Sequence, residues 1–138
     1  MVEAVDDSYV LVIDDDELIW GLIRDVLKHL GLLKRLKTFP DAEMALEFLH
    51  QQAPAPSCMV VDLHLPGMDG FGFLAQFERE FLPHFPNTEV YVVSASIRPE
   101  DRDRALAFPF VREFFIKPLR LAQLRKMLKE REPRLLIN

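Results

Sequence analysis

Two short runs in this chain are apolar at every position: Tyr9-Val10-Leu11-Val12-Ile13 and Cys58-Met59-Val60-Val61. A strand with one wet face alternates apolar and polar side chains, so a run apolar on both faces reads as a strand covered on both sides. The rest of the chain must then supply the covering layers, and its periodicity does so. Leu18, Ile19, Leu22, Ile23, Val26, Leu27 and Leu30 recur at steps of three and four, which is one face of a helix stopped by Gly31. Residues 33–39 read as a second, more exposed strand. Pro40-Asp41-Ala42-Glu43 opens a second helix with Pro in its first turn and Ala45, Leu46 and Leu49 inward. Residues 58–63 form the third strand, and Pro66-Gly67-Met68-Asp69-Gly70 is a loop. A third helix over residues 71–81 ends at Pro83 and Pro86. A fourth strand covers residues 89–93, a short polar helix 99–107, a fifth strand 111–116, and a last helix 119–129 with Leu121, Leu124 and Leu128 inward.

Five strands alternating with five helices imply right-handed crossovers and an α/β fold, a doubly wound parallel sheet with helices on both faces. The 138 residues suit one domain, and there is no internal repeat or low-complexity tract. Residues 133–138 are too few for a second one. The net charge of −5, from 17 basic and 22 acidic residues, argues against the broad basic footprint of a nucleic-acid binder. The single cysteine, Cys58, excludes an intrachain disulfide and sits in an apolar run as a buried thiol. His29, His50, His64 and His84 form no ligand spacing. No apolar run reaches the roughly 18 residues of a membrane span, and residues 1–8 show no signal pattern. The expectation is a cytoplasmic protein with no membrane partner.

In a doubly wound sheet the site lies beyond the carboxyl ends of the strands. The first strand ends in Asp14-Asp15-Asp16, the third in Asp62, the fourth in Ser94 and the fifth in Lys117. The topology brings all of them to one edge. Clustered carboxylates repel one another, and a hard divalent cation relieves that. Mg²⁺ suits a site of few carboxylates that also grips a phosphoryl group. Lys117 can pair with a carboxylate or a phosphoryl oxygen, and the Ser94 hydroxyl can donate to the same oxygen. These are the parts for phosphoryl transfer onto an Asp. Asp16 reads as readily as a helix cap.

The stretches Val12-Ile13-Asp14-Asp15-Asp16, Val60-Val61-Asp62-Leu63-His64-Leu65-Pro66-Gly67-Met68-Asp69-Gly70, Ser94-Ala95 and Phe114-Phe115-Ile116-Lys117-Pro118 resemble the receiver domain of two-component response regulators. The likeness runs over about residues 8–131. It implies a flavodoxin-like (βα)5 sheet in the order 2-1-3-4-5, in a stand-alone receiver spanning residues 1–138 with no output domain. It implies Asp62 as phosphoacceptor and Mg²⁺ held by Asp14, Asp15, Asp62 and the backbone carbonyl of His64. Ser94 would bind the phosphoryl oxygen, Lys117 would pair with it, and the Lys117-Pro118 bond would be cis. Ser94 and Phe114 would form the switch, with the Phe114 ring swinging inward as Ser94 moves. His64 and Ser96 would flank the phosphoryl group and tune its hydrolysis.

The resemblance further implies a sensor histidine kinase or histidine phosphotransfer protein as phosphodonor, a downstream protein as target, and a homodimer that phosphorylation can promote. The protein would catalyse nothing beyond its own phosphorylation and dephosphorylation. Trp20, off the helical stripe, and Leu119, after the fifth strand, are the expected partner contacts. Two rival readings remain at this level. A haloacid-dehalogenase-like phosphatase would use Asp14-x-Asp16, Ser94 and Lys117, but leaves Asp62 without a role and finds no acidic pair after Lys117 beyond Glu130 and Glu132. A pseudo-receiver would keep the fold as a binding module without phosphorylation.

Overall fold

The computed structural model describes residues 9–51 and 54–129. Its elements are β1 (Val10–Ile13), α1 (Glu17–His29), β2 (Leu36–Phe39), α2 (Ala42–His50), β3 (Cys58–Val61), α3 (Gly70–Glu80), β4 (Glu89–Ser94), α4 (Pro99–Leu106), β5 (Val111–Ile116) and α5 (Leu121–Lys129). The strands pair in parallel in the order β2-β1-β3-β4-β5. Registers run Val10 against Leu36 and Cys58, and Cys58 against Glu89, with one irregularity between Val90 and Tyr91 where β4 meets β5.

Alternate residues of each strand feed opposite cores, which is why β1 and β3 are apolar throughout. Leu11, Ile13, Met59, Val61, Val90, Val92 and Phe114 face α2 and α3, where Leu46, Leu49, Phe73, Leu74 and Phe77 are buried. Val10, Val12, Cys58, Val60, Tyr91, Val93 and Phe115 face α1 and α5, against Ile19, Ile23, Leu27, Leu124, Met127 and Leu128. Each fully buried aliphatic or aromatic side chain contributes about 1.5–3 kcal/mol. The sheet is therefore clamped from both sides, and its carboxyl edge is held on a stiff platform.

Caps fix where the helices start. Asp16, Asp41 and Asp69 each accept a backbone N–H from the first turn that follows, from Leu18, Met44 and Gly72, at 2.9, 2.8 and 2.8 Å. Pro40 therefore precedes the cap of α2 rather than standing in its first turn. Gly31, at φ +76°, ends α1. The N–H groups of Gly31 and Leu32 reach back to the carbonyls of Lys28 and Leu27, closing a Schellman cap that a Cβ-bearing residue would strain.

The helical stripes differ in detail from the sequence reading. On α1 the buried residues are Ile19, Ile23 and Leu27, whereas Leu22 and Val26 line an open groove against α5 and Leu18 is 81% exposed. On α5, Met127 is buried and Leu121 is exposed. The expected second strand begins with a 3-10 turn, Leu33–Arg35, and pairs only from Leu36 onward. A second 3-10 turn, Leu82–His84, follows α3. Residues 1–8 and 130–138 lie outside the described residues. No helix among the described residues is long and apolar enough to cross a membrane.

Gly70 sets the height of α3 over β3. A Cβ there would meet the carbonyl oxygen of Asp62 and lie 2.7 Å from Cα of Leu63. Both contacts are backbone, so something must shift. Gly70→Ala is expected to lower stability by about 2 kcal/mol, the usual cost of overpacking. A urea titration checks it, with an unchanged midpoint counting against this close approach.

Candidate functional site

The ladder hydrogen bonds continue one residue past the strand ends. Asp14 N–H donates to Phe39 O at 3.0 Å, Asp62 N–H to Ile13 O at 2.9 Å, and Lys117 N–H to Ser94 O at 2.8 Å. Asp14, Asp62 and Lys117 are thus placed by the sheet itself. Asp14 is fully buried, Asp62 is 3% exposed and Ser94 is buried, whereas Asp15, the next residue along, is exposed. Side chains alternate at the end of a strand, so neighbours Asp14 and Asp15 approach the pocket from different directions.

The Lys117 ammonium bridges the acids. Its Nζ lies 3.2 Å from Asp14 Oδ1, 3.1 Å from Asp14 Oδ2, 3.2 Å from Asp62 Oδ2 and 3.6 Å from Asp16 Oδ2. Asp14 Oδ1 also accepts the Asp16 N–H at 2.8 Å, and Asp62 Oδ1 accepts the His64 N–H at 3.2 Å. Asp14 Oδ2 is buried without a hydrogen bond, its closeness to Lys117 being ionic rather than directed. The peptide between Lys117 and Pro118 is cis.

Burial first and the Asp62 carboxylate second push the Asp14 carboxyl up to about 6, against the Asp16 N–H and Lys117, which hold it down. For Lys117, burial alone would disfavour the ammonium, but the attraction of Asp14 and Asp62 outweighs it and lifts the group above its ordinary 10.5. One ammonium therefore offsets Asp14 and Asp62, to which Asp15 adds a third carboxylate. One oxygen from each of these three acids lies within 4.8 Å of the others. Two like charges about 5 Å apart repel by roughly 3 kcal/mol at an effective dielectric of about 20. An unbonded buried carboxylate oxygen beside two further carboxylates fits a hard divalent cation with oxygen ligands.

The remaining sequence-derived residues fall less uniformly. Ser94 Oγ accepts the Ser96 N–H at 3.1 Å, and the His64 side chain is exposed. The Ser96 hydroxyl is engaged by Asp101 at 2.6 Å. Phe114 is 7% exposed and lies in the same apolar cluster as Leu63 and Phe71, so the ring expected to swing inward is already inside. Leu119, expected as a partner contact, is 6% exposed and belongs to the core under α1 and α5. Trp20, the other expected partner contact, packs half-buried against that core with its indole N–H sealed. The freely exposed apolar residue on α1 is Leu18. It borders a cavity of about 380 Å³ shared with Asp16, Leu22, Lys117, Pro118 and Leu119.

Two groups at the site were not singled out from the sequence. Glu43 on α2 accepts the Met68 N–H at 3.1 Å and steadies the loop after Asp62, and Asp101 on α4 holds Ser96. Neither has a local signal, because each contact joins separate loops and helices. The phosphatase reading loses its second acid, since Asp16 serves as the cap of α1.

A doubly wound parallel sheet with buried acids, a serine and a bridging lysine on its carboxyl edge defines a class of α/β domain built around anionic chemistry at that edge. The response regulator receiver domain is the family whose pattern matches, over residues 10–129, and the chain belongs to it. It is 30% identical over 135 residues to a probable methanogenesis regulatory protein, FilR2, of Methanothrix harundinacea, covering 94% of this chain and 84% of that one. The phosphorylated cyanobacterial phytochrome response regulator RcpA superposes with a TM-score of 0.74 at 25% identity, covering 94% of each chain. The Mn²⁺-bound form of response regulator Rcp1 gives 0.70 at 25% identity, covering 91% of each. Other curated relatives are much longer proteins, of which the chain spans 13% to 22%.

Proposed function

We propose that this receiver of two-component signalling takes a phosphoryl group onto Asp62 from a phosphohistidine of a sensor histidine kinase or phosphotransfer protein, and then signals through protein contacts. The observation that carries this reading is the Lys117 ammonium held between Asp14 and Asp62, beside a buried carboxylate oxygen with no hydrogen bond. An Asp62 oxygen attacks phosphorus as the P–N bond breaks, and the imidazole departs with its electron pair. Lys117 is already within 3.2 Å of the nucleophile and offsets charge on the phosphoryl oxygens. Ser94 donates its hydroxyl proton to one of them. Asp14, Asp15, Asp62 and the His64 carbonyl are the residues that would hold Mg²⁺, which when bound supplies further charge neutralisation at the phosphoryl oxygens. The Mn²⁺ form of Rcp1 and the phosphorylated form of RcpA support both parts.

The donor's docking surface is assigned to Leu18 and the cavity beside Lys117 and Pro118, in place of Trp20. One experiment with two donors tests the reading. Acetyl phosphate with Mg²⁺ is expected to add one phosphoryl group per chain by intact mass, and EDTA to prevent it. Leu18→Ala is expected to leave that labelling unchanged while slowing transfer from the cognate phosphohistidine protein about tenfold, or 1.4 kcal/mol. No labelling by either donor, or labelling indifferent to EDTA, overturns the proposal.

A further inference from the structure

The β4–α4 loop carries an arrangement that the chemistry above does not use. Ser94 is buried, and its Oγ accepts the Ser96 N–H at 3.1 Å. The Ser96 hydroxyl donates to Asp101 Oδ2 at 2.6 Å and accepts the Arg98 N–H at 3.2 Å. Arg98 is the N-cap of α4 and makes no side-chain cap bond, and Pro99 follows it without an N–H. Ser96 thus does the capping from two residues upstream, and Asp101, in the first turn of α4, ties the loop to the helix. That bond is charge-assisted and short, in the strong class.

The other attachments of α4 lie at its far end, where Ala105 is buried, Leu106 packs partly buried against the core and the Arg104 guanidinium stacks 3.9 Å over the Phe71 ring. The Ser96–Asp101 bond is therefore a large part of what fixes the start of α4, and through the Ser96 amide it fixes where the Ser94 hydroxyl rests.

Building on the reading of Ser94 as a phosphoryl ligand, we propose that Ser96 and Asp101 are positioning residues. Together they form a latch that holds the Ser94 Oγ on the Ser96 N–H. On this proposal a phosphoryl group on Asp62 draws Ser94, and the loop with it, against the latch. An equilibrium of this kind lowers the apparent affinity for the phosphoryl group by the fraction of molecules already released. Loosening the latch raises that fraction.

The test is a calorimetric titration of the full chain with beryllofluoride, a phosphoryl mimic, in the presence of Mg²⁺. Ser96→Ala and Asp101→Ala are each expected to bind about fivefold tighter than the unmodified protein. The double variant is expected to be no tighter than the better single one, because both remove the same bond. Ser96→Thr keeps the hydroxyl and is expected to restore the unmodified affinity, which a merely structural role for Ser96 would not predict. Thermal melts confirm that each variant is folded, and if Asp101→Ala is not, Ser96→Ala against Ser96→Thr decides the matter. Equal or weaker binding by folded Ser96→Ala overturns the latch, weaker binding meaning that the loop is instead preorganised for the ligand. Absence of beryllofluoride binding to the unmodified protein is a different result. It overturns the phosphoryl reading itself, and the latch with it.

Discussion

The Asp62→Asn protein is expected to gain no phosphoryl group from acetyl phosphate and Mg²⁺ on the timescale that saturates the unmodified chain. The amide has the same shape. Its oxygen can still accept the His64 N–H that Oδ1 accepts at 3.2 Å, so the loop that follows is undisturbed. What is lost is the nucleophile. An amide oxygen carries no formal charge, and the electrostatic help of Lys117, 3.2 Å from Asp62 Oδ2, has nothing to act on. A labelling rate at least about a thousandfold lower, roughly 4 kcal/mol of barrier, is the expected size. Intact mass over time checks it. Slow labelling of Asp14 or Asp15 is compatible with the assignment, since both lie in the same cluster. Full stoichiometry at the original rate is not. Loss of fold would mimic the result, but the substitution removes a like charge from beside Asp14, so the variant is expected to melt no lower than the unmodified protein.

How much of this site was legible beforehand follows from how each residue is positioned. Asp62 follows an apolar run that has no polar residue on either face, and the sheet carries every such terminus to the same edge. Asp14, Ser94 and Lys117 are legible for the same reason, as is the doubly wound fold. Which of two adjacent acids is buried was not legible. Asp14 and Asp15 are equivalent in composition, and only the twist and pleat at the end of β1 decide that Asp14 goes inside. Helix phase was blurred in the same way. A stripe seven residues wide on α1 does not reveal that Ile19, Ile23 and Leu27 form its centre, which leaves Leu18 outside and turns Trp20 inward. On α5 the same uncertainty exchanged Met127 for Leu121. The Ser96–Asp101 bond was invisible because it depends on how a loop folds back over the helix it precedes.

The burial of Asp14 has a measurable consequence for the metal-free protein. Its carboxyl is raised from 3.8 to about 6 by burial first and by Asp62 second, with the attraction of Lys117 already included in that balance. The folded chain thus holds this proton more tightly than the unfolded chain does. Stability from that difference is fully present below the unfolded value of 3.8 and is lost as pH rises through about 6. A shift of this size amounts to about 2–3 kcal/mol above that range. Asp14→Asn removes the charge while its amide oxygen can still accept the Asp16 N–H. In EDTA at pH 8 the variant is therefore expected to melt higher than the unmodified protein by about 5–10 °C. The gap should close as the pH is lowered toward 4, where Asp14 is protonated in the folded state. Millimolar Mg²⁺ should act on only one of the two. It raises the melting point of the unmodified protein by binding the folded state alone, and has little effect on Asp14→Asn, which has lost a carboxylate ligand. The acids that cap α1, α2 and α3 offer no such gain, since Asp16, Asp41 and Asp69 act by accepting backbone N–H bonds, which an amide oxygen accepts as well. An Asp14→Asn protein that melts no higher at pH 8, with Mg²⁺ shifting both proteins alike, would place Asp14 among the caps. It would also remove the repulsion that makes this edge of the sheet a site for a cation.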